Sequence, residues 1–363
     1  MLRAKEQAAA GPKLFERVLE SGCRRIAILG LHARAGTRTV LATLIRELHE
    51  QDKTVAVTSF PRSNLADVTL PEPTTRVALP AGAWLANSAE TGRGEAVELE
   101  LSEETRFEGS RGPIGISRVT QGGELEIYGP EDAGEMRDVL SRLADVADGT
   151  VLVDGGWGRR AFASPSVTDG VVLVVGAGYS PTPERSAAAV RYLLDVFSLP
   201  ETTHEARLAW ENAAHKNQIV LVDESGEPTA SLPPSLAPGP AADAIVEQAP
   251  RWVVLPSGLN DELLAPLVRT EFRCTLVVRD ATRVNGAPVY LRAWTKAGGG
   301  VEVVDATRVI GVATNPVNAT GPDADGRAFH RMVSEQLPDV PVHDVVLESS
   351  GKARRPVWKF WER

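Results

Sequence analysis

The stretch Arg25-Ile26-Ala27-Ile28-Leu29-Gly30-Leu31-His32-Ala33-Arg34-Ala35-Gly36-Thr37-Arg38-Thr39-Val40-Leu41 decides how the chain is read. An apolar run of strand character ends at Gly30. A loop of small residues follows, and from Thr39 to His49 the apolar positions Val40, Leu41, Leu44, Ile45 and Leu48 recur at helical spacing. Strand, glycine loop and helix form the frame of a phosphate-binding loop, where backbone N–H groups and the positive end of the helix hold an anion. The usual signature puts a lysine and then a serine or threonine directly after the second glycine. Here Gly36 is followed by Thr37, Arg38 and Thr39. The frame is present and the lysine is missing.

Outward from this stretch, Lys53 to Ser59 reads as a buried strand. Two strand–helix–strand signals in the first 60 residues predict a parallel sheet with right-handed crossovers. Residues 1–22 read as a helix with Leu14, Phe15, Val18 and Leu19 on one face, stopped by Gly22. Residues 60–74 are a Pro-rich polar loop. VALPAGAWLANSAE then reads as a strand running into a short helix, while AVELELS, PIGISRV and ELEIYG alternate apolar and polar residues. Residues 76–130 are therefore expected to be a small, mostly antiparallel β insertion. A helix at 131–147 follows, then the apolar runs Thr150–Gly156 and Gly170–Gly176, as in strands covered on both faces. A helix at 183–198 comes next.

Residues 223–241, rich in proline, read as a loop. Strands at 218–222, 252–255, 274–279, 301–304 and 309–314, with helices at 258–269 and 325–336, make the second half α/β as well. The expected organisation is a P-loop NTPase-like α/β domain at 1–215, a second α/β region at 216–347, and a tail at 348–363. That tail mixes Lys352, Arg354, Arg355 and Lys359 with Trp358, Phe360 and Trp361.

The 363 residues carry a formal charge of −9, which argues against an extended nucleic-acid surface. No run approaches the ~18 apolar residues of a membrane helix, and Met1 to Glu20 has no apolar core of signal-peptide type. Cys23 and Cys274 lack metal-ligand spacing and read as free thiols in a reducing cytoplasm.

Gly30, Arg34, Gly36, Thr37, Arg38 and Thr39 are the candidate phosphate contacts, with Arg38 supplying a cation from a neighbouring position. VLVDGG ends an apolar strand in an acid, as a Walker B strand does, so Asp154 and Thr39 are the candidate Mg²⁺ ligands beside ATP. Thr58-Ser59 is expected at the same sheet edge, and Arg159 and Arg160 are either phosphate-reaching or solvated. Three readings stay open: a phosphate loop with weakened or lost hydrolysis, an active nucleotide site, and an ordinary glycine turn.

The segment VLVDGGWGRRAFASPSVTDGVVLVVGAGYS resembles the pattern V-D-G-A-x-x-R-R-S-x-A-S-P…D-x-x-I-L-x-T-G-A of the P-loop subunit of the lysine 5,6-aminomutase reactivase. Residues 68–90 (VTLPEPTTRVALPAGAWLANSAE), 301–318 (VEVVDATRVIGVATNPVN) and 338–346 (PDVPVHDVV) are similar to further segments of that family. Together these cover most of residues 26–346. The glycine spacing resembles that of the dethiobiotin-synthetase-like branch of P-loop enzymes.

The resemblance implies an ATP-binding, chaperone-like subunit. It would work with a MutS-related partner to exchange damaged cobalamin on a B12-dependent aminomutase. By position, Gly30, Gly36 and Thr39 match the family's loop and Asp154 its Walker-B-like acid. The family's lysine falls on Thr37 and its next hydroxyl on Arg38. Its acidic group after the second strand falls on Phe60-Pro61-Arg62-Ser63-Asn64-Leu65, which has no acid, and its aromatic stretch after Asn315-Pro316 falls on Val317-Asn318-Ala319-Thr320. The expected function is a degenerate P-loop protein serving as a reactivase-type partner, with ATP binding weak or lost. The alternatives are an active enzyme of the dethiobiotin-synthetase type and a nucleotide-independent scaffold.

Overall fold

A computed structural model of the chain describes residues 12–60, 76–88, 97–109, 111–233, 236–318 and 323–349. The chain divides into two compact units, residues 1–191 with 309–363, and residues 192–308.

The first unit opens with α1 (Leu14–Glu20), β1 (Arg25–Gly30), α2 (Thr37–Glu50) and β2 (Val55–Ser59). Five strands follow: β3 (Arg76–Leu79), β4 (Trp84–Ser88), β5 (Glu98–Gly109), β6 (Gly112–Gln121) and β7 (Gly123–Glu126). Then come α3 (Ala133–Ala147), β8 (Thr150–Trp157), β9 (Gly170–Gly176) and α4 (Pro183–Phe197), which contains the division between the units.

The second unit runs through α5 (His204–Lys216), β10 (Ile219–Val222), β11 (Pro228–Leu232), α6 (Pro238–Gln248), β12 (Trp252–Val254), β13 (Leu259–Asn260) and α7 (Asp261–Arg269). It closes with β14 (Thr275–Val278), β15 (Val284–Asn285), α8 (Pro288–Lys296) and β16 (Gly300–Val303). The chain then returns to the first unit as β17 (Val309–Asn315), α9 (Gly326–Gln336), β18 (Val342–Asp344) and α10 (Val345–Ser349).

Nine described strands of the first unit form one sheet in the order β18-β17-β9-β1-β8-β2-β4-β6-β5. From β18 to β4 every pairing is parallel, and β4–β6 and β6–β5 are antiparallel. The fold is α/β with a large, mostly parallel sheet. Side chains on a strand alternate between faces. Val55, Val57 and Leu152 accordingly join Leu41, Leu44 and Leu48 of α2 in one core. Their neighbours Ala56, Val151 and Val153 join Met136, Val139, Leu140 and Leu143 of α3 in another. Covering on both faces explains the unbroken apolar runs of β8 and β9.

The structure corrects several sequence expectations. Residues 76–88 form two strands rather than a strand and a helix, because a turn at Pro80-Ala81-Gly82, closed by Ala83 N–H on the Pro80 carbonyl (3.2 Å), separates them. The mostly antiparallel character expected of 76–130 is present in β4–β6, β6–β5 and β3–β7, and the segment is continuous with the core sheet. Trp84 and Leu85 pair in parallel with Ala56 and Val57, so β4, β6 and β5 extend the main sheet, while β3 and β7 form a separate antiparallel pair. Glu98, Glu100, Glu104 and Glu108 are exposed along the edge strand β5, a charge pattern that discourages further pairing.

The expected boundary at 215/216 and the observed divisions at 191/192 and 308/309 also differ, since β17 and β18 belong to the first sheet. The Pro-rich stretch contains β11 and the start of α6. Proline is tolerated on an edge strand and in the first helical turn, and those are the places Pro228, Pro238 and Pro240 occupy.

In the second unit five described strands form a sheet in the order β11-β10-β12-β14-β16, parallel from β12 to β16. Ala206, Ala209, Trp210 and Ala213 of α5 pack on Val220, Val222, Trp252, Val254 and Val277. Residues 1–11, 61–75 and the basic and aromatic tail from 350 lie outside the described residues. Among the described residues no helix is long and apolar enough to cross a membrane.

Candidate functional site

β1 lies between β9 and β8 in the main sheet. From β1 the chain goes to β2 and β4 on one side, returns to β8, and then crosses β1 to reach β9, β17 and β18. Such a reversal opens a crevice at the carboxyl ends of the strands, where open α/β sheets bind ligands. The Gly30–Gly36 loop leaves β1 at this place.

Leu31 N–H donates to the Val174 carbonyl (2.9 Å), and Ala35 N–H to the His32 carbonyl (3.2 Å), which curls the loop. It ends at Gly36, whose φ of 99° is left-handed. A Cβ at Gly36 would fall on the Asn315 side-chain amide, which itself donates to the Ala35 carbonyl (3.3 Å). Only glycine satisfies both conditions.

The helix that starts here has no side-chain cap and no acid in its first turn. Its first N–H groups and the positive end of its dipole are thus not countered by a carboxylate of its own. Arg34, itself left-handed at φ 63°, lies within the loop, and Thr37 sets its methyl group near Gly30.

His32 spans the loop. Its Nδ1 lies 2.7 Å from the Ala33 carbonyl and its Nε2 3.2 Å from the Gly176 carbonyl, and its ring sits 5.6 Å from that of Tyr179. Burial pushes its pKa below the ordinary value, against two carbonyls that favour the charged ring.

Asp154 is the fifth of the eight residues of β8, so the strand runs on past the acid expected to end it; it lies level with Ile28 of β1 and Ser59 of β2 and is buried. Arg38, the second residue of α2, places Nε 3.4 Å from the Asp154 Oδ2. This ion pair joins the helix start to the strand that carries the expected metal acid.

Of the expected Mg²⁺ pair, Asp154 faces the Arg38 guanidinium, a like charge to any cation placed there. Thr39 is exposed. Among the described residues no cluster of three or more His, Cys, Asp or Glu is placed to hold a metal.

Of the remaining expectations, Thr58 is committed to the sheet, its hydroxyl donating to the Ala86 carbonyl (3.0 Å). Arg159 lies over the Phe60 ring at 3.9 Å, and that ring packs on Phe162 at 4.2 Å. Burial lowers the Arg159 pKa, with Glu131 opposing. Cys23 and Cys274 are free and buried, and burial pushes the Cys274 thiol up to about 12, with Arg273 opposing.

The sequence reading missed His32 and Asn315 as loop-seating residues. The strand ending in Asn315 was legible, but its place beside β9 depends on pairing across the length of the chain. No family model, curated protein or solved structure matches the chain, so the geometry of this edge carries the functional reading.

Proposed function

We propose that the chain is a divergent phosphate-loop protein that binds a phosphate-bearing ligand, ATP foremost, at the start of α2 and hydrolyses it weakly or not at all. One observation carries the reading: Arg38 stands at an uncapped helix start and pairs with the buried Asp154. An uncapped helix start beside a guanidinium favours an anion. Hydrolysis in this class depends on a loop lysine and a bound metal ion. Thr37 follows Gly36 where the lysine would stand, and the candidate metal acid is engaged.

A loop that senses a nucleotide without turning it over suits a regulatory or chaperone-like partner. The resemblance to the reactivase subunit supplies the partner class: a MutS-related subunit acting with a B12-dependent aminomutase as client, in the cytoplasm.

The test is thermal melting of the purified protein with ATP, with and without Mg²⁺. A ligand at a hundredfold excess over its Kd raises stability by about 2.7 kcal/mol. A shift that Gly36→Trp removes, without ATP turnover, is the expected result. Turnover would make the chain an active enzyme of the dethiobiotin-synthetase type. The absence of any shift at saturating ATP would leave a nucleotide-independent scaffold.

A further inference from the structure

In the phosphate-loop frame, a hydroxyl early in the helix and an acid on a neighbouring strand hold the divalent cation that accompanies the nucleotide. Here Arg38 occupies the first position and reaches across to the second, Nε lying 3.4 Å from Asp154 Oδ2. Asp154 is buried, and Arg38 is about three-quarters covered with 27% of its side chain exposed.

We infer that Arg38 takes the place of the divalent cation, so that the loop accepts a polyphosphate free of Mg²⁺. Asp154 is a counterion of Arg38 in the ligand-free chain, and the ligand competes with it for the guanidinium. The inference rests on the phosphate-loop reading and adds to it the ionic form of the ligand.

The charges set the direction of the effect. A guanidinium pairs with phosphate oxygens through directed N–H donors and needs no metal bridge. A metal-complexed phosphate carries less negative charge to attract it, and its cation meets Arg38 as a like charge. Asp154 itself repels an arriving anion. Removing its charge therefore strengthens Mg²⁺-free binding, whereas removing a true metal ligand weakens Mg²⁺-dependent binding.

The experiment is calorimetric titration of the full chain with tripolyphosphate and with ATP, in EDTA and in excess Mg²⁺. Wild type, Asp154→Asn, Arg38→Ser and Arg38→Lys are compared, with melting curves to confirm folding. Wild type binds in EDTA, and Mg²⁺ leaves the affinity unchanged or lower. Asp154→Asn binds several-fold tighter in EDTA. Arg38→Ser loses roughly tenfold or more, as expected for one charge-assisted hydrogen bond, and Arg38→Lys recovers part of that loss.

Binding by wild type only in Mg²⁺, or weaker binding by Asp154→Asn, overturns this inference and leaves the phosphate loop standing. Binding in neither buffer overturns the phosphate-loop reading, and this inference with it. Should Arg38→Ser fail to fold, the sign of the Asp154→Asn effect decides.

Discussion

An arginine–aspartate pair stands at each end of β1, and the two pairs are built differently. At the start of the strand, Arg25 Nη2 and Nε donate to Asp169 Oδ1 at 2.6 and 3.1 Å. The main-chain N–H groups of Arg25 and Arg24 donate to Oδ2 at 2.8 and 3.1 Å. Burial alone raises the Asp169 pKa, yet these donors more than offset it and hold the carboxyl below its ordinary value. At the far end, Arg38 and Asp154 meet at 3.4 Å, longer than the roughly 2.7–2.9 Å of a strong charge-assisted bond. One pair clamps two strands by their backbones. The other joins a helix start to a strand through the Arg38 and Asp154 side chains. On the proposed reading, the second pair is the one a phosphate would draw on.

The largest expected effect comes from breaking the far end outright. Gly36→Val forces a β-branched residue into a left-handed φ and into the Asn315 side chain, a combined cost of about 3 kcal/mol or more. Denaturant unfolding measures it, and phosphate binding is lost with it.

Next is Asp169→Asn, expected to cost about 1–2 kcal/mol by the same measurement, since both side chains keep some solvent screening. Its pH signature has a definite sign. Because the folded pKa of Asp169 lies below the ordinary 3.8, the folded chain binds fewer protons than the unfolded chain. The stabilisation is complete above the unfolded value and fades as pH falls through the folded one. Melting temperatures of wild type and Asp169→Asn therefore converge toward strongly acid pH.

Asp154→Asn is expected to cost less, about 1 kcal/mol, because the amide keeps the shape of Asp154 and Arg38 keeps 27% of its side chain exposed to water. A loss larger than that of Asp169→Asn would erase the contrast between the two ends. The smallest effect is a gain. Thr39→Glu places an acid in the first turn of α2 at an exposed position, raising stability by about 0.3–0.5 kcal/mol while closing the loop to phosphate. Titration with tripolyphosphate alongside the melt checks both parts.

Local chemistry made the strand–loop–helix unit legible from Arg25 to Leu41, as it did the apolar runs of β8 and β9. An acid at the end of an apolar strand marked Asp154. The Arg38–Asp154 pair was not legible, since it exists only because β8 lies next to β1, and strand order is a property of the whole sheet. The same physics hid the domain boundary. Nothing in the residues of β17 states that they pair with β9, whereas α5, with its thin apolar stripe of Ala206, Ala209, Trp210 and Ala213, gave too weak a periodicity to stand out. Proline misled at 228–240 because its depletion from strands and helices does not apply to edges and first turns.

Asn315 steadies a loop made 280 residues earlier. On the ribosome, the glycine loop and its helix are synthesised first, but the side chain that seats them arrives after the entire second unit. Until then β9 has an open edge, because its neighbour β17 does not yet exist. Contacts of such long sequence separation form late and slowly. On the proposed reading, a loop that grips phosphate reports that translation has passed residue 315, and tripolyphosphate added to truncated nascent chains would distinguish unfinished copies from finished ones.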